Sequence, residues 1–163
     1  MTLVKLGLAF LLLWIMVAVF YYLWALTFDI STIGQMPQRS SIYDRNGTFY
    51  SRTIGENRVV VHYNQVSPNF VNALISREDS RFYEHHGIDP VGIARAAIRN
   101  LLFGGMKQGA STITQQLARN SFPLGGKTFN RKFLEAAMAF RIEMEMSKEQ
   151  ILELYMNLSL IHI

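Results

Sequence analysis

An uncharged apolar run near the N-terminus constrains the fold of this sequence more than any other feature. From Leu6 to Phe28 the chain reads LGLAFLLLWIMVAVFYYLWALTF, and about 20 apolar residues are enough to span the hydrocarbon core of a bilayer. A cleaved signal peptide is the alternative, but its apolar core is shorter and ends at a small-x-small cleavage site. Aromatic residues, which favour the membrane interface, cluster toward the C-terminal end of this run: Phe20, Tyr21, Tyr22 and Trp24. We therefore expect residues 1–28 to form a short tip and an uncleaved transmembrane anchor.

The few charges around this run predict its orientation. Lys5 and the α-amino group precede it, and Asp29 is the first charge after it, so the positive-inside rule places the tip in the cytoplasm and the rest outside. The formal net charge is +4 and the pI about 9.5. Because the chain is expected to project outward, these values favour anionic lipid head groups or a phosphorylated substrate over nucleic acid. The absence of cysteine fits an exported domain without disulfides.

Residues 29–66 read as a linker followed by a short β segment. Asp29 to Gln38 contains Gly34 and Pro37, and Asn46-Gly47 lies between two β-prone runs, which is typical of a hairpin. RVVVHY, from Arg58 to Tyr63, predicts one more short strand.

From residue 67 onward the sequence predicts a mainly α domain, residues 67–158. Ser67-Pro68 and Asp89-Pro90 are typical helix starts, and Thr112 with Gln115 and Ser147 with Gln150 are capping-box pairs. A further helix is expected to start near Phe129. The first helix should turn four apolar side chains inward: Phe70, Val71, Leu74 and Ile75.

Glu78 continues the apolar stripe of that first helix. At about 3.6 residues per turn it shares a face with Val71 and Leu74. A carboxylate in this position is partly desolvated, which suits a general base working near neutrality. The alternative is a surface ion pair with Arg77 or Arg81, and periodicity does not decide between the two. Asp79 is turned about 100° away and is expected to have a structural role.

Two adjacent histidines follow, His85 and His86. Neighbouring residues on a helix diverge by about 100°, and neither an HExxH spacing nor a cysteine partner is present. We expect a hydrogen bond or a helix cap here rather than a metal site.

Two further stretches are rich in polar and cationic residues. GASTITQQLARN, Gly109 to Asn120, combines hydroxyl and amide side chains with Arg119, and it reads either as an anion-binding helix start or as an ordinary capped helix. GKTFNRKFLE, Gly126 to Glu135, carries i,i+4 and i,i+3 ion pairs that are either surface pairs or part of a site. Cations outnumber acids between Arg77 and Lys132, which would suit a pyrophosphate.

These stretches together resemble the motifs of the family 51 glycosyltransferases, the peptidoglycan glycosyltransferases. EDSRFYEHHGID is similar to the first motif, ED-x-x-F-x-x-H-x-G, and GASTITQQLARN to the second. RKFLE is similar to the third motif, and SKEQILELYMN to most of the fourth. The resemblance implies a largely helical, partly lysozyme-like fold behind an N-terminal membrane helix. It also implies a bacterial inner-membrane location, single-pass, with the catalytic domain on the outer or periplasmic face.

The implied activity is a hexosyl transfer that polymerises lipid II into β-1,4 glycan strands, with inversion and release of undecaprenyl pyrophosphate. Lipid II, the growing lipid-linked glycan and the membrane would be the partners, with a cell-wall synthesis complex as a further one. Glu78 matches the catalytic base. Glu135 matches a second glutamate that organises the donor side or a divalent cation, Mg²⁺ or Mn²⁺. Substrate-lining positions are matched by Ser111, Thr112, Gln115, Gln116, Arg119, Lys127, Arg131 and Lys132. Arg119 stands where the family pattern usually has lysine, and Lys127 stands where arginine is common. Both exchanges keep the charge but change the geometry of the hydrogen-bond donors.

The C-terminal end departs from the family pattern. After Asn157 the fourth motif normally runs into an aromatic, glycine-bearing segment, whereas residues 158–163 read LSLIHI, which resembles a translated transposon-end adapter. We expect this tail to be partly or wholly non-native on a truncated gene fragment, which would leave the transferase domain incomplete and the fragment itself inactive.

Two other functions remain open from the residues alone. A lysozyme-like enzyme that cleaves peptidoglycan would also use two glutamates on helices, and a membrane-tethered scaffold would need no catalysis. The β segment is closer to bifunctional class A penicillin-binding proteins than to monofunctional transglycosylases. The apolar patch LLFGGM, Leu101 to Met106, is either a membrane-dipping surface or a core-packed helix end.

Overall fold

The computed structural model describes residues 2–34, 41–52, 60–103, 109–126 and 128–159 of the chain. Its fold is mainly α, which confirms the predicted fold class. The described residues form six α-helices: α1 Thr2–Ala25, α2 Pro68–Glu78, α3 Pro90–Phe103, α4 Ile113–Ser121, α5 Phe129–Glu145 and α6 Lys148–Ser159. Three short 3-10 turns lie between them, at Ile30–Thr32, Tyr63–Gln65 and Phe82–Glu84.

Helix α1 is apolar along most of its length, with Lys5 near its start. Leu3–Ala25 is 23 residues long, and 18 consecutive residues within it have a mean hydropathy of 2.5, so it is long and apolar enough to cross a membrane. Most of its large side chains are exposed, but Ala25 at its C-terminal end is fully buried. The helix therefore presents an apolar surface along most of its length, and its C-terminal half contacts the folded domain.

A short antiparallel hairpin precedes the helical domain. Strands β1, Ser41–Tyr43, and β2, Phe49–Arg52, pair around a turn in which Gly47 has a φ of 80°. The Asp44 carboxylate accepts the backbone N–H groups of Asn46 and Thr48, at 2.8 Å each. An aspartate side chain that bonds its own turn in this way favours chain reversal.

The core lies where α4 packs against α5 and α6. Its fully buried side chains include Ile113 and Leu117 of α4, Met138 and Ile142 of α5, and Ile151 of α6. These positions recur every three or four residues on each helix, as an amphipathic face requires. Helix α2 adds Val71, Leu74 and Ile75, and the end of α1 adds Ala25. The start of α4, which lies within the second motif, is thus held in the middle of the domain.

Two predictions about local structure are wrong in part. Phe70 does not point inward: it is 46% exposed, while Val71, Leu74 and Ile75 are buried as predicted. Helix α2 is short, and only a narrow stripe of its surface packs against the core.

The strand predicted from Arg58 to Tyr63 is absent in its described part. Val60–His62 form no strand, and Tyr63 begins a 3-10 turn instead, while Arg58 and Val59 lie outside the described residues. Asn157 bonds both the N–H and the C=O of Val61, at 2.9 Å each, so a side chain takes the place of a partner strand.

The C-terminal end of α3 is apolar and exposed. Leu101, Leu102 and Phe103 are 84%, 70% and 69% exposed, so this part of the predicted patch is not packed into the core. Gly104 to Met106, the rest of that patch, lie outside the described residues, as do Lys127 and residues 160–163. Leu158 and Ser159 continue α6.

Candidate active site

An open cleft of about 710 Å³ lies between the end of α2, the inner face of α3 and the start of α4. Several of the predicted site residues border it: Glu78, Ser111, Thr112, Gln116 and Arg119. Arg77 and Arg95 add positive charge to its wall. The structure therefore brings together residues from the first two motifs that are more than thirty positions apart in sequence.

Glu78 is held at the cleft by an amide. Its Oε2 accepts from Nε2 of Gln116 at 3.3 Å, and its side chain is 31% exposed. The surface ion pair considered as the alternative also forms, because Nε of Arg77 lies 3.5 Å from Oε1. That arginine is 84% exposed, so screening by water leaves the pair weak. Arg81 instead contacts Glu84 and Asp89.

Tyr155 of α6 determines which way the Gln116 amide points. Its hydroxyl donates to Oε1 of Gln116 at 3.1 Å, which leaves the NH₂ group to face Glu78. An amide whose oxygen is held by a donor has one preferred orientation. Tyr155 is buried and lies 39 residues from its partner, so local sequence patterns give no sign of this contact.

Asp79 fixes the direction in which Glu78 leaves α2. Its carboxylate accepts the backbone N–H of Ile113, the first residue of α4, at 3.1 Å. It also contacts Nε2 of His85, 3.0 Å from each oxygen. A helix N-terminus has unpaired N–H groups and a positive dipole, so the carboxylate is well placed there. The structural role expected for Asp79 and the hydrogen bond expected for His85 are both present.

The remaining residues of the first motif hold that segment against α5 and α4. Phe82 is fully buried, and Gly87 has a φ of 82° with its Cα facing the backbone of Ala139. A Cβ at Gly87 would lie 2.6 Å from the Ala139 carbonyl, so only glycine fits without displacing the helix. The Gly87 carbonyl accepts from the Thr112 hydroxyl at 2.7 Å.

Asp89 caps α3 beside the cleft. Burial raises the pKa of Asp89, but the hydrogen bond from the backbone N–H of Gly92 and the electrostatic influence of Arg81 and His85 outweigh that effect and hold the pKa below its ordinary value of 3.8. A Cβ on Gly92 would lie 2.4 Å from Oδ2 of Asp89. The glycine therefore lets the carboxylate reach the helix N-terminus.

Thr112 and Gln115, two of the predicted substrate contacts, use their side chains to start α4. The Thr112 hydroxyl accepts the Gln115 N–H at 3.1 Å, and the Gln115 side-chain oxygen accepts the Thr112 N–H at 3.2 Å. Both residues are buried. This is the predicted capping box, so both side chains help to begin α4. Their contact with substrate stays a prediction.

Helix α5 places a buried carboxylate between two cations. Glu135 is fully buried, with Nζ of Lys132 2.6 Å from Oε2 and Nε of Arg131 3.0 Å from Oε1. The Arg131 contact is electrostatic rather than a hydrogen bond, since neither atom has a hydrogen-bond partner. Because Glu135 is buried, these contacts are not the surface ion pairs that the sequence left as an alternative. Removing both cations would leave the buried carboxylate uncompensated, whereas removing one leaves the other beside it and costs less than the about 3–5 kcal/mol of a fully buried pair.

Lys132 also connects this pair to the cleft. Its Nζ donates to the hydroxyl of Ser111 at 2.7 Å, and Ser111 lines the cleft. An ammonium group has three donors, so one remains for a ligand after Ser111 and Glu135 are bonded. Arg119, half-buried on the wall of the cleft, pairs with no acidic side chain among the described residues. These cations can hold an anionic group.

The surroundings of Glu135 do not fit a directly bound divalent cation. Mg²⁺ and Mn²⁺ need several oxygen ligands, whereas both oxygens of this carboxylate face cationic side chains. Across the described ranges, no group of three or more His, Cys, Asp or Glu side chains is arranged to hold a metal ion. The donor set here supports binding of an anion by Arg131 and Lys132.

A helical domain whose open cleft combines a carboxylate with cationic side chains has the groups that proton transfer on an anionic substrate requires. The profile of the family described as Transglycosylase matches residues 46–161. The chain belongs to this family, which confirms the resemblance to the family 51 glycosyltransferases.

Curated relatives agree with this assignment. Penicillin-binding protein 1A of Escherichia coli (strain K12) is 50% identical over 133 residues, which are 79% of this chain and 15% of that protein. Penicillin-binding protein 1F of Bacillus subtilis (strain 168) is 46% identical over 118 residues, 72% of this chain and 16% of that protein. Penicillin-binding protein 1A of Neisseria cinerea is 55% identical over 86 residues, 53% of this chain and 11% of that protein. The chain thus spans less than a fifth of the length of these relatives.

Proposed function

We propose that this chain is the glycosyltransferase part of a class A penicillin-binding protein that polymerises lipid II into β-1,4 glycan strands. The observation that carries the proposal is the Glu78 carboxylate, held by Gln116 at the same cleft that Ser111 lines, where Lys132 donates to the Ser111 hydroxyl. One group can act as a base, and the others can hold a diphosphate. The apolar helix α1 supports the assignment because the substrate is lipid-linked.

Glu78 serves as the general base in the proposed reaction. It takes the proton from the 4-hydroxyl of the acceptor lipid II as that oxygen attacks the anomeric carbon of the lipid-linked donor chain. The bond from that carbon to the pyrophosphate oxygen breaks with inversion, and undecaprenyl pyrophosphate leaves with the electron pair. Pyrophosphate is a good leaving group, so the site mainly needs a base and stabilisation of the developing negative charge.

The cationic side chains form the proposed pyrophosphate cradle. Lys132 keeps one donor for the phosphate oxygens, and Arg119 offers a guanidinium with no competing acidic partner in the described part of the chain. Arg131 joins them through its position beside Glu135. Lys127 belongs to the cradle by its place in the motif and lies outside the described residues. Thr112 and Gln115 act by positioning α4.

The two competing functions are less well supported. Hydrolysis of a glycan needs two carboxyl groups that flank the scissile bond, whereas Glu135 is fully buried between Arg131 and Lys132. A scaffold has no need of a base held at an open cleft. The outer-face location, the partner complex and the transpeptidase half of a bifunctional parent belong to the same proposal.

The proposal is tested with the full-length protein in detergent micelles and labelled lipid II. Glu78→Gln is expected to lower kcat for polymerisation by about 10²–10⁴-fold, the usual contribution of a general base. Glu149→Gln, which changes an exposed carboxylate of α6 in the same way, is the matched control and should polymerise normally. Polymerisation by Glu78→Gln at the wild-type rate would disprove the role of Glu78. Cleavage of preformed glycan by the wild type would favour hydrolysis, and binding without turnover would favour a scaffold.

A further inference from the structure

The C-terminal half of α1 lies against α5 through aromatic contacts. The ring of Phe133 stacks on Tyr21 with centroids 5.3 Å apart, and Trp14 approaches it at 6.3 Å. Closer to the C-terminal end of α5, the rings of Tyr22 and Phe140 meet edge to face, with centroids 6.2 Å apart. Such aromatic pairs contribute about 0.5–1.5 kcal/mol each beyond the area that they bury. The apolar helix is therefore packed onto the domain and is not a free tether.

Arg141 fastens the end of α1 to α5. Its Nη1 donates to the carbonyl oxygens of Ala25 and Phe28, at 2.7 Å each, and its Nε donates to Glu145 at 3.0 Å. The last carbonyls of a helix lack intrahelical partners, and a cation there also complements the helix dipole. Only 14% of the Arg141 side chain is exposed. A planar, rigid guanidinium holds both carbonyls in one geometry better than a flexible ammonium group can.

The helix that carries Arg141 also carries the proposed pyrophosphate cradle. Arg131, Lys132 and Glu135 lie on the first two turns of α5, about 10–15 Å along the axis from Arg141 at 1.5 Å per residue. Because an α-helix of this length is stiff, the contacts of Phe133 near one end of α5 and of Arg141 near the other together fix how α5 lies along α1. The position of the cradle thus depends on the contacts that Arg141 makes as well as on those of Phe133.

We propose that Arg141 is a positioning residue that sets the height of the cradle above the bilayer by locking α5 to the end of the apolar helix. The inference rests on the proposed function, since it assumes a substrate whose hydrocarbon chain stays in the membrane. The pyrophosphate of such a substrate sits at the bilayer surface, so the cradle must lie at that level to receive it. A displacement of about 1 Å can already lower a rate by two orders of magnitude.

A distance measurement tests the structural half of the inference independently of activity. Spin labels on Leu12→Cys of α1 and Glu149→Cys of α6, both exposed positions in a chain without cysteine, report the α1-to-domain distance in bilayer nanodiscs. The wild type and Glu145→Gln, which keeps both carbonyl bonds of Arg141, should give the same narrow distribution. Arg141→Met should give a broader or shifted one. An unchanged distribution in Arg141→Met would overturn the inference.

Kinetics with two substrates test the functional half. For Arg141→Met we expect KM to rise about tenfold for long-chain lipid II in vesicles, the equivalent of one charge-assisted hydrogen bond. KM and kcat for a short-chain, water-soluble analogue should stay at wild-type values, because that substrate does not depend on the bilayer. Arg141→Lys keeps the charge and most of the packing, so its KM for long-chain lipid II should lie between those of the wild type and Arg141→Met. An equal loss with both substrates would mean a purely structural role and would refute the inference.

The two proposals fail in different ways. If Glu78→Gln polymerises lipid II normally, the proposed function fails, while the distance distributions of the Arg141 variants still report whether α1 is locked to α5. If Glu78→Gln is inactive but Arg141→Met behaves as the wild type in both assays, only the positioning role is lost.

Discussion

Single residues at the cleft act through partners that lie far away in the sequence. Tyr155, Gln116 and Glu78 form one chain of hydrogen bonds, and the only outward-facing acceptor in it is the carboxylate. A chain of this kind holds the base in one rotamer more firmly than either bond alone. The buried tyrosine of α6 is thus connected to the chemistry without reaching the cleft.

Replacing Tyr155 with phenylalanine should weaken catalysis while leaving the fold intact. The Gln116 amide would lose the donor that orients it, so part of the population would turn its NH₂ group away from Glu78. We expect kcat to fall about fivefold, the effect of one neutral hydrogen bond of about 1 kcal/mol, with KM unchanged. Steady-state polymerisation assays measure this change. Tyr50→Phe, at an exposed tyrosine of the hairpin, is the control.

The double variant decides whether Tyr155 acts through Gln116. Residues that act through one shared contact give non-additive losses. Tyr155→Phe combined with Gln116→Ala should therefore be no slower than Gln116→Ala alone. Losses that multiply would show that the tyrosine contributes by another route.

The helix starts follow from local rules, whereas the contacts between helices do not. Both capping boxes, at Thr112 and at Ser147, form as predicted because their bonds join residues three apart. The bond from Asp79 to Ile113 and the bond from Lys132 to Ser111 join different elements, and no periodicity in the sequence signals them. The inward orientation predicted for Phe70 is wrong for the same reason. The apolar stripe of α2 is broad, and only the packing of the helix determines which side of that stripe the core covers.

The start of α3 should depend on pH through Asp89. Its pKa is lowered in the folded state, so its contribution to stability is complete above its unfolded value of about 3.9 and is lost as the pH falls through the lower folded value. Asp89→Asn keeps a good capping side chain but removes the charge, and it should cost about 1 kcal/mol at pH 7. Thermal unfolding of the two proteins, followed from pH 7 to pH 3, should converge at the acidic end. A constant difference across this range would contradict the role of the charge.

At the scale of the whole molecule, the segment before α2 is closed by the last helix. Asn157 bonds both polar backbone groups of Val61, and Glu153 accepts the N–H of Tyr63 at 2.7 Å. These contacts join residues 90 and 96 positions apart in the chain. They hold the N-terminal side of the domain to its C-terminal side.

Asn157→Leu should destabilise the whole domain. The substitution leaves the N–H and C=O of Val61 without these partners in a partly buried place, which costs about 2 kcal/mol. Thermal or chemical unfolding in detergent measures the loss. Glu153→Gln, which keeps an oxygen to accept from Tyr63, should lose less. Equal losses would mean that the charge of Glu153, rather than the closure by Asn157, dominates.

The closure by α6 has a consequence for synthesis. Val61 leaves the ribosome long before Asn157 does. Its backbone N–H and C=O therefore bond to water until nearly a hundred further residues have been translated. The apolar helix can enter the bilayer during this interval, because nothing about its insertion requires α6. Insertion of the apolar helix is thus free to precede the folding of the domain, which is complete only once α6 has been translated.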